Sequence, residues 1–394
     1  MKKKHICLIL PEGLPVPATM GGAIETLMSN LIAQNEIHQK IKLTVFASYE
    51  KKAYQQTKQY QHTDIILIKK NCLYYLIKTW FKIIRLFVKD FDKIVYNELV
   101  LNQIKNKNID YVIVEQGHTS AFKSYLRYFE KKQLILHFHH NGSSTPAIDQ
   151  IFGRYIGVSE FVKNTFQDSS TITDCQVLKN GIDIKPFIQV QSDSAESQVL
   201  KNKYGIKSND IVLLFCGRIV PEKGILELVK AIKAINDEHL KLIIVGSANF
   251  ADTPESEFSN KIKQLIKDLG DRVIMTGYIH NSKIAKIHHI SNIFVFPSTC
   301  EEAAGMSAIE AMAAGLPIIA TKFGGIPEYV HPDNIFIDRC SDDKLVQELK
   351  KAVVKLAHDE KLRRTLSKNN QRHAQQFSAE QYYANFIEII RSYR

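Results

Sequence analysis

The sequence lacks the cysteine patterns that build a metal site or a disulfide framework. Its six cysteines, at positions 7, 72, 175, 216, 300 and 340, form no C-x-x-C pair and have no histidine at ligand spacing. Several fall within apolar stretches, as is typical of reduced thiols in a cytosolic protein. The pattern therefore argues against a disulfide-stapled domain.

Long hydrophobic runs are also absent. The apolar run after the basic N-terminus ends at Pro11. It is too short for the apolar core of a signal peptide, and we expect it to be the first β-strand. The amphipathic stretch 72–91 is interrupted by Lys78, Lys82, Arg85 and Lys89. These charges exclude a transmembrane span, and we expect a cytoplasmic protein.

Acidic residues are scarce in the first half of the sequence. Residues 1–186 hold 25 Lys+Arg and 16 Asp+Glu, whereas residues 187–394 hold 27 and 25, so the net charges are +9 and +2. A basic first half favours contact with an anionic surface or substrate. No nucleic-acid-reading motif accompanies it, and we expect no nucleic-acid partner.

The length of 394 residues suits two domains rather than one core. Apolar strand-like segments alternate with helical ones in both halves, which predicts an α/β fold. The polar segment 188–198 is typical of a linker. We therefore predict domains over 1–187 and 188–377, followed by a helix near 378–394.

The most informative stretch is 297–328, which reads PSTCEEAAGMSAIEAMAAGLP and, from 323, FGGIPE. Its pattern predicts Glu302 in a loop and Glu310 in the second turn of a helix that begins near Gly305. Small residues before the helix allow a ligand to approach the backbone. The free N–H groups of a helix start suit a phosphate.

A second candidate site follows the predicted strand 211–216. The segment 217–224 reads GRIVPEKG and leads into a helix. Arg218 offers a planar fork of donors and Lys223 a point charge. A cation pair at a helix entrance is suited to a pyrophosphate.

In the first half, the glycine pair Gly21-Gly22 precedes a predicted helix start and could hold a phosphate or a sugar. Two predicted strands, 111–115 and 134–137, end in polar residues that include Glu115, His137 and His139. The carboxyl ends of strands are where open α/β sheets bind ligands.

These motifs together resemble the retaining glycosyltransferases of the GT-B fold, in particular family 4 with its Glu-x7-Glu signature. The resemblance covers nearly the whole chain, strongly over 211–330 and more weakly over 1–185. It implies two Rossmann-like, doubly wound α/β domains that face each other across a cleft. It also implies that the C-terminal helix packs back on the first domain.

The resemblance implies roles for residues of the second half. Glu302 and the loop backbone at Ala304, Gly305 and Met306 would hold the donor sugar and its phosphates. Glu310 would bind the ribose hydroxyls of the nucleotide.

Further roles follow from the same resemblance. Arg218 and Lys223 would hold the diphosphate, and the Gly21-Gly22 loop would close over it and face the acceptor. A histidine after strand 134–137 would face the donor sugar; His139 is the preferred match and His140 the next. The family usually has G-x-G where this chain has Gly246-Ser247-Ala248, and the polar loop 249–258 that follows has no assigned role.

No divalent metal or other cofactor is expected. Asp90-Phe91-Asp92 is formally a D-x-D motif, but it falls at the end of the helix 72–91 and not after a strand. We interpret it as two solvated carboxylates.

The helix 72–91 has two open interpretations. Its basic residues form one stripe and its apolar residues, including Trp80 and Phe87, lie on the other side. It is either a helix packed on the sheet with its basic face in water, or an interfacial helix beside anionic lipid. The second would place the protein at the inner face of the cell membrane.

The predicted function is a retaining glycosyltransferase that moves a hexose or N-acetylhexosamine from a nucleotide-diphosphate sugar, by preference a UDP-sugar, to an acceptor hydroxyl. The expected acceptor is a glycan or a lipid-linked glycan of a capsule, exopolysaccharide, lipopolysaccharide or wall. Alternatives are a catalytically silent partner subunit and a sugar-nucleotide epimerase of the same fold. The sequence predicts no oligomeric state.

Overall fold

The computed structural model describes residues 3–89, 91–188, 194–247 and 256–393. The chain divides into two compact units. The first runs to Asn180 and includes the segment from Ala379, and the second is Gly181–Ser378. Of the described helices, none combines the length and the apolarity that a membrane crossing needs.

The first unit is a seven-stranded, wholly parallel sheet with the order β3-β2-β1-β4-β5-β6-β7. Its central strands are buried along their whole length, as expected for a sheet covered on both faces. The strands are β1 (His5–Ile9), β2 (Lys42–Ser48), β3 (Thr63–Ile68), β4 (Tyr111–Glu115), β5 (Leu134–Phe138), β6 (Arg154–Gly157) and β7 (Cys175–Val177).

Helices connect these strands. They are α1 (Ala23–His38), α2 (Lys51–Thr57), α3 (Cys72–Phe87), α4 (Val95–Ile104), α5 (Pro146–Ile151) and α6 (Glu160–Gln167), with 3₁₀ turns at Thr119–Arg127 and Lys131–Gln133.

The second unit repeats the topology with six parallel strands in the order β10-β9-β8-β11-β12-β13. These are β8 (Ile211–Cys216), β9 (Leu240–Val245), β10 (Val273–Gly277), β11 (Ile293–Phe296), β12 (Ile318–Thr321) and β13 (Ile335–Ile337). In both sheets the order reverses beside the first strand, which is the Rossmann arrangement. The prediction of two Rossmann-like domains, the components of a GT-B fold, is confirmed.

The remaining helices are α7 (Lys185–Ile188), α8 (Ala195–Lys203), α9 (Ile225–Lys233), α10 (Glu257–Ile266), α11 (Asn281–His289), α12 (Met306–Ala313), α13 (Ile326–Tyr329), α14 (Asp342–His358), α15 (Glu360–Ala374) and α16 (Ala379–Ser392). Short 3₁₀ turns lie at Pro221–Lys223, Lys267–Arg272 and Gln375–Phe377.

The units divide after Asn180, earlier than the predicted linker. The reason is apolar packing, because Ile182, Ile184 and Phe187 are buried in the core of the second unit. Of the predicted linker 188–198, residues 195–198 belong to α8, whose N-cap is Ser194, and residues 189–193 lie outside the described part of the chain.

Helix α16 belongs to the first unit. Tyr382, Tyr383 and Phe386 are buried with the apolar residues of α1 and the sheet. The Tyr383 hydroxyl donates to Asn35 Oδ1 at 2.7 Å, and Lys4 Nζ donates to the carbonyl oxygen of Ile390 at 2.7 Å. This helix therefore completes a core whose other parts come from much earlier in the chain, since Asn35 and Tyr383 are 348 residues apart.

The structure contradicts one of the two interpretations of helix α3, in which its apolar face packs on the sheet. Of its residues only Tyr74 is buried, whereas Leu76 is 67% exposed, Trp80 59% and Phe87 82%. Tyr74 anchors the helix through its hydroxyl, which donates to Glu12 Oε1 at 2.7 Å. The apolar face is therefore uncovered.

We expect Phe386→Ala to lower the free energy of unfolding by about 3–5 kcal/mol, because it removes a fully buried ring from the core that α16 shares with α1. Urea denaturation would measure the loss. Glu388→Ala, at an exposed position of the same helix, is the control and should change stability little. Equal effects of the two substitutions would contradict this account of α16.

Candidate active site

The loop between β11 and α12 holds Glu302, as predicted. The loop is tied to the segment after β12 by a bridge between Glu302 and Gly324, and the carbonyl of Glu302 accepts from Gly325 N–H at 2.7 Å. The side chain of Glu302 is 13% exposed. The G-G-x-P-E part of the motif thus supports the backbone that carries Glu302.

Glu302 and Lys223 form an ion pair across two loops. Lys223 Nζ donates to Glu302 Oε1 at 2.5 Å, and the Ser298 hydroxyl donates to the same oxygen at 2.6 Å. Ser298 is fully buried. The pair brings together two predicted site residues that the chain separates by 79 positions.

A close backbone approach places Lys223 there. Gly224 has φ +67°, and a Cβ at this position would lie 1.8 Å from the carbonyl oxygen of Pro297. Thr299 N–H donates to the carbonyl of Glu222 at 2.9 Å, which fixes the 3₁₀ turn Pro221–Lys223 against the start of the Glu302 loop. The final glycine of GRIVPEKG is therefore required by packing.

Helix α12 begins at Met306 with Gly305 as its N-cap, so that position supplies no capping side chain. Ala304 and Met306, the other predicted contacts of this loop, are half-buried. Glu310 lies in the second turn, as predicted. Burial raises the pKa of Glu310 to about 7, so this carboxyl exchanges its proton near neutral pH.

Arg218 follows β8 and is exposed. It has no ion pair with another described residue, so its guanidinium is accessible to a ligand. After β9, the Ser247 carbonyl accepts from Ile219 N–H at 3.1 Å. Ala248 and residues 249–255 of the polar loop lie outside the described ranges.

In the first unit, His139 is held by a residue that sequence reasoning did not select. His139 Nε2 lies 2.7 Å from Glu115 Oε2, and His137 Nδ1 lies 2.8 Å from the same oxygen. Glu115 and His137 are fully buried, whereas His140 is exposed. Their strands pair in the register Glu115 with His137, a non-local fact that the sequence pattern does not contain.

The Gly21-Gly22 turn precedes α1, as predicted, with φ of +80° and +95°. A carboxylate lies against it: a Cβ on Gly22 would be 2.0 Å from Glu25 Oε2. Glu25 is buried, and burial raises its pKa. An ionised Glu25 would repel a phosphate and would accept hydrogen bonds from sugar hydroxyls.

Within the described ranges, one group of three side chains could ligate a metal ion, namely Glu115, His137 and His139. Asp92 of the D-x-D motif is exposed, and Asp90 lies outside those ranges. The predicted absence of a resident metal therefore stays a prediction, as do the ligand roles of the site residues.

These features define a class of protein: two Rossmann-like units, the second with a cation and a carboxylate at the carboxyl edge of its sheet. Residues 196–373 match the family described as glycosyl transferases group 1. The chain is a glycosyltransferase, and residues 196–373 are the part of it that matches this family.

Similar proteins agree with this assignment. The chain is 26% identical over 364 residues to the lipopolysaccharide 1,2-N-acetylglucosaminetransferase of Salmonella typhimurium, covering 90% of each chain. It is 30% identical over 230 residues to the capsular polysaccharide biosynthesis glycosyltransferase CapM of Staphylococcus aureus, covering 55% of each. The structure of Anabaena HepE with UDP and glucose superposes with a TM-score of 0.73 at 19% identity, covering 98% of this chain and 99% of that one.

We expect Lys223→Ala and Arg218→Ala each to weaken UDP binding by roughly 10- to 100-fold, because each would remove a predicted charge-assisted contact with a phosphate. Isothermal titration calorimetry would measure the affinity. Lys233→Ala is a matched control, since Lys233 lies in α9 of the same unit and pairs on the surface with Asp268. If UDP affinity is unchanged in both site variants, the diphosphate does not bind at this edge of the sheet.

We also expect UDP affinity to fall as the pH falls through 7, because the predicted contact with the ribose hydroxyls would favour the ionised form of Glu310, whose pKa burial raises to about 7. Glu310→Gln should bind UDP more weakly at pH 8 and should show less loss between pH 8 and pH 6. Titration of the UDP phosphate is common to both proteins, so their affinity ratio isolates Glu310. A ratio that does not vary with pH would contradict the prediction.

Proposed function

We propose that this glycosyltransferase moves a hexose or N-acetylhexosamine from a UDP-sugar to an acceptor hydroxyl with retention of anomeric configuration. The observation that carries the proposal is the Lys223–Glu302 pair beside the start of α12. Binding of a diphosphate requires a cation and free N–H groups. Binding of a sugar requires a group that accepts hydrogen bonds from its hydroxyls. One short stretch of surface offers all three.

The pair has a mechanistic consequence. Without substrate, Lys223 and Glu302 neutralise each other. When a UDP-sugar binds, Lys223 forms an ion pair with the diphosphate in place of Glu302. The sugar hydroxyls then donate hydrogen bonds to the Glu302 carboxylate. The buried Ser298 hydroxyl keeps the carboxylate in place during this exchange of partners.

The chemical step breaks the bond between the anomeric carbon and the diphosphate oxygen. Negative charge grows on UDP as the bond breaks, and Lys223, Arg218 and the α12 N–H groups stabilise it. The acceptor oxygen then bonds the anomeric carbon from the face that UDP leaves, and its proton passes to the departing phosphate. In this scheme no divalent ion is needed for the leaving group.

We expect purified protein to release UDP from a matching UDP-sugar, and Lys223→Ala to lower kcat by roughly 10²–10³-fold, because it removes one stabiliser of the leaving charge. A panel of nucleotide sugars with coupled UDP detection measures both. Turnover should persist in EDTA, and proton NMR of the product should show the donor's anomeric configuration.

Three outcomes would contradict this scheme. If EDTA abolishes turnover and a divalent metal ion restores it, the main partner of the phosphates is a metal ion and not Lys223. Release of an epimerised sugar would favour the epimerase, and binding without turnover on any donor or acceptor would favour the silent subunit.

We further propose that the acceptor is a membrane-lipid-linked or growing surface glycan, and that α3 docks the first unit on the anionic inner leaflet of the cell membrane. The exposed apolar face of α3 comprises Leu73, Tyr75, Leu76, Trp80, Ile83, Leu86 and Phe87. Lys82 lies one helical turn before Leu86 and two turns after Tyr75, and residues so spaced lie on the same side of a helix. The Lys82 side chain therefore lies at the edge of the exposed apolar face. Apolar side chains flanked by cations match an interface of anionic lipid.

One member of the basic stripe has a different role. The Arg85 guanidinium donates to the carbonyl oxygens of Phe91 at 3.3 Å and Lys93 at 2.8 Å, so it supports the chain after α3. The lipid-facing cations are then Lys78, Lys82 and Lys89, which are all exposed.

We expect the protein to sediment with phosphatidylglycerol vesicles and not with phosphatidylcholine vesicles, and to be released by salt. Exchange of Lys78, Lys82 and Lys89 for Gln should weaken binding roughly 100-fold, at about 1 kcal/mol for each cation. The same exchange at Lys361, Arg364 and Lys368, exposed on α15, is the matched control. If the α3 variant and the α15 control variant sediment equally with the vesicles, the α3 face does not bind lipid. It is then a solvated surface or a contact for another protein.

A further inference from the structure

The side chain of Glu12 links the β1–α1 loop, residues 10–22, to the N-terminal end of helix α3. Its Oε1 accepts a hydrogen bond from the Tyr74 hydroxyl at 2.7 Å and lies 2.8 Å from Lys70 Nζ. Lys70 directly precedes Asn71, whose side chain caps α3, and Tyr74 lies in the first turn of the helix. These contacts therefore join two segments of the first unit that are 62 positions apart in the chain.

The neighbours of Glu12 favour its ionised form. Burial by itself raises the pKa of Glu12, but hydrogen bonds from Lys70 and Tyr74 and the charges of Lys70 and Lys78 outweigh burial and lower the pKa. Glu12 is half-buried, so water screens the ion pair only in part. An ionised acceptor with two donors holds its partners more strongly than a neutral hydrogen bond does.

The attachment of α3 to the first unit is sparse. Of its residues only Tyr74 is buried, and the apolar face is exposed. At the N-terminal end, the ring and hydroxyl of Tyr74 and the ion pair of Lys70 attach the helix. An element with few buried apolar contacts undergoes local opening at a low free-energy cost. Whatever restricts α3 from outside will therefore change its motion strongly.

The β1–α1 loop is held on two sides. The Thr19 hydroxyl donates to Glu50 Oε2 at 2.9 Å, and Glu50 is the N-cap of α2, so this contact fastens the loop to the element that follows β2. Glu12 fastens the same loop to α3. The loop ends in the Gly21-Gly22 turn before α1. A restriction of α3 therefore reaches this turn through a short stretch of chain that begins at Glu12.

We propose that Glu12 is a positioning residue through which docking of α3 on anionic lipid orders the β1–α1 loop. The inference rests on the proposed function, from which it takes the docking of α3. Docking restricts the helix, and a loop fastened to a restricted helix loses conformational freedom before a ligand binds to it. A ligand of the Gly21-Gly22 turn then binds at a smaller cost in entropy. The enzyme is thus better prepared for substrate at the membrane than away from it.

A single fluorophore reports the docking of α3. Trp80 is the only tryptophan of the chain, and it is exposed on the apolar face of the helix. We expect its emission to shift to shorter wavelength with phosphatidylglycerol vesicles and not with phosphatidylcholine vesicles, because the indole ring enters the headgroup layer. Hydrogen exchange with mass spectrometry on the same full-length protein measures the order of the β1–α1 loop.

We expect phosphatidylglycerol vesicles to slow amide exchange in residues 10–22 of the wild type by roughly fivefold or more, the lower end of ordinary coupling between two sites. Glu12→Ala removes both contacts with α3, so it should abolish the slowing while the shift of Trp80 emission remains. Tyr74→Phe keeps the buried ring without its hydroxyl and should lose part of the slowing. Glu12→Gln should retain part of it, because the amide oxygen still accepts hydrogen bonds.

Glu36→Ala is the matched control. Glu36 is another half-buried glutamate of the first unit, and its carboxylate accepts from the backbone N–H groups of Gln61 and His62. Its replacement removes the same charge as Glu12→Ala and should leave both the emission shift and the slowing unchanged.

Three outcomes would overturn the inference. Slowing that persists in full in Glu12→Ala would mean that lipid covers the loop directly. An emission shift without slowing in the wild type would mean that docking does not reach the loop, and both results leave the docking of α3 intact. If the wild type shows no emission shift with phosphatidylglycerol, the docking proposal is wrong and this inference is wrong with it.

Discussion

The Lys223–Glu302 ion pair depends on a constraint of parallel sheets. Side chains at the carboxyl ends of neighbouring strands meet at one edge, and the strand order reverses between β8 and β11. The loops after these two strands therefore begin at the same edge of the sheet, one carrying the cation and the other the carboxylate. The glycine at 224 lets the two backbones approach closely enough for Lys223 to reach Glu302.

The same constraint operates in the first unit. Strands β4 and β5 are neighbours, and their carboxyl ends carry Glu115, His137 and the following His139. Here Glu115 and His137 are fully buried. The chain thus uses the same edge of a parallel sheet twice, for the Lys223–Glu302 ion pair and for the Glu115, His137 and His139 group.

Helix α3 illustrates what an amphipathic pattern can establish. The spacing of its basic and apolar residues correctly indicated two faces on one helix. It could not indicate which face the protein covers, because burial depends on where the neighbouring elements end. Tyr74 and the chain after the helix hold α3 by another side, and the apolar face stays open.

The sequence by itself determined the alternating strands and helices, the Glu302 loop and the α12 helix that carries Glu310. These features depend on local signals: apolar runs, glycines, and residues at helix starts. Only the tertiary structure decided that Ser298 supports Glu302, that Glu25 lies against Gly22, and that Glu115 contacts His139. Each of these contacts depends on strand register or on a close backbone approach, which arise when distant segments pack and leave no periodic trace in the sequence.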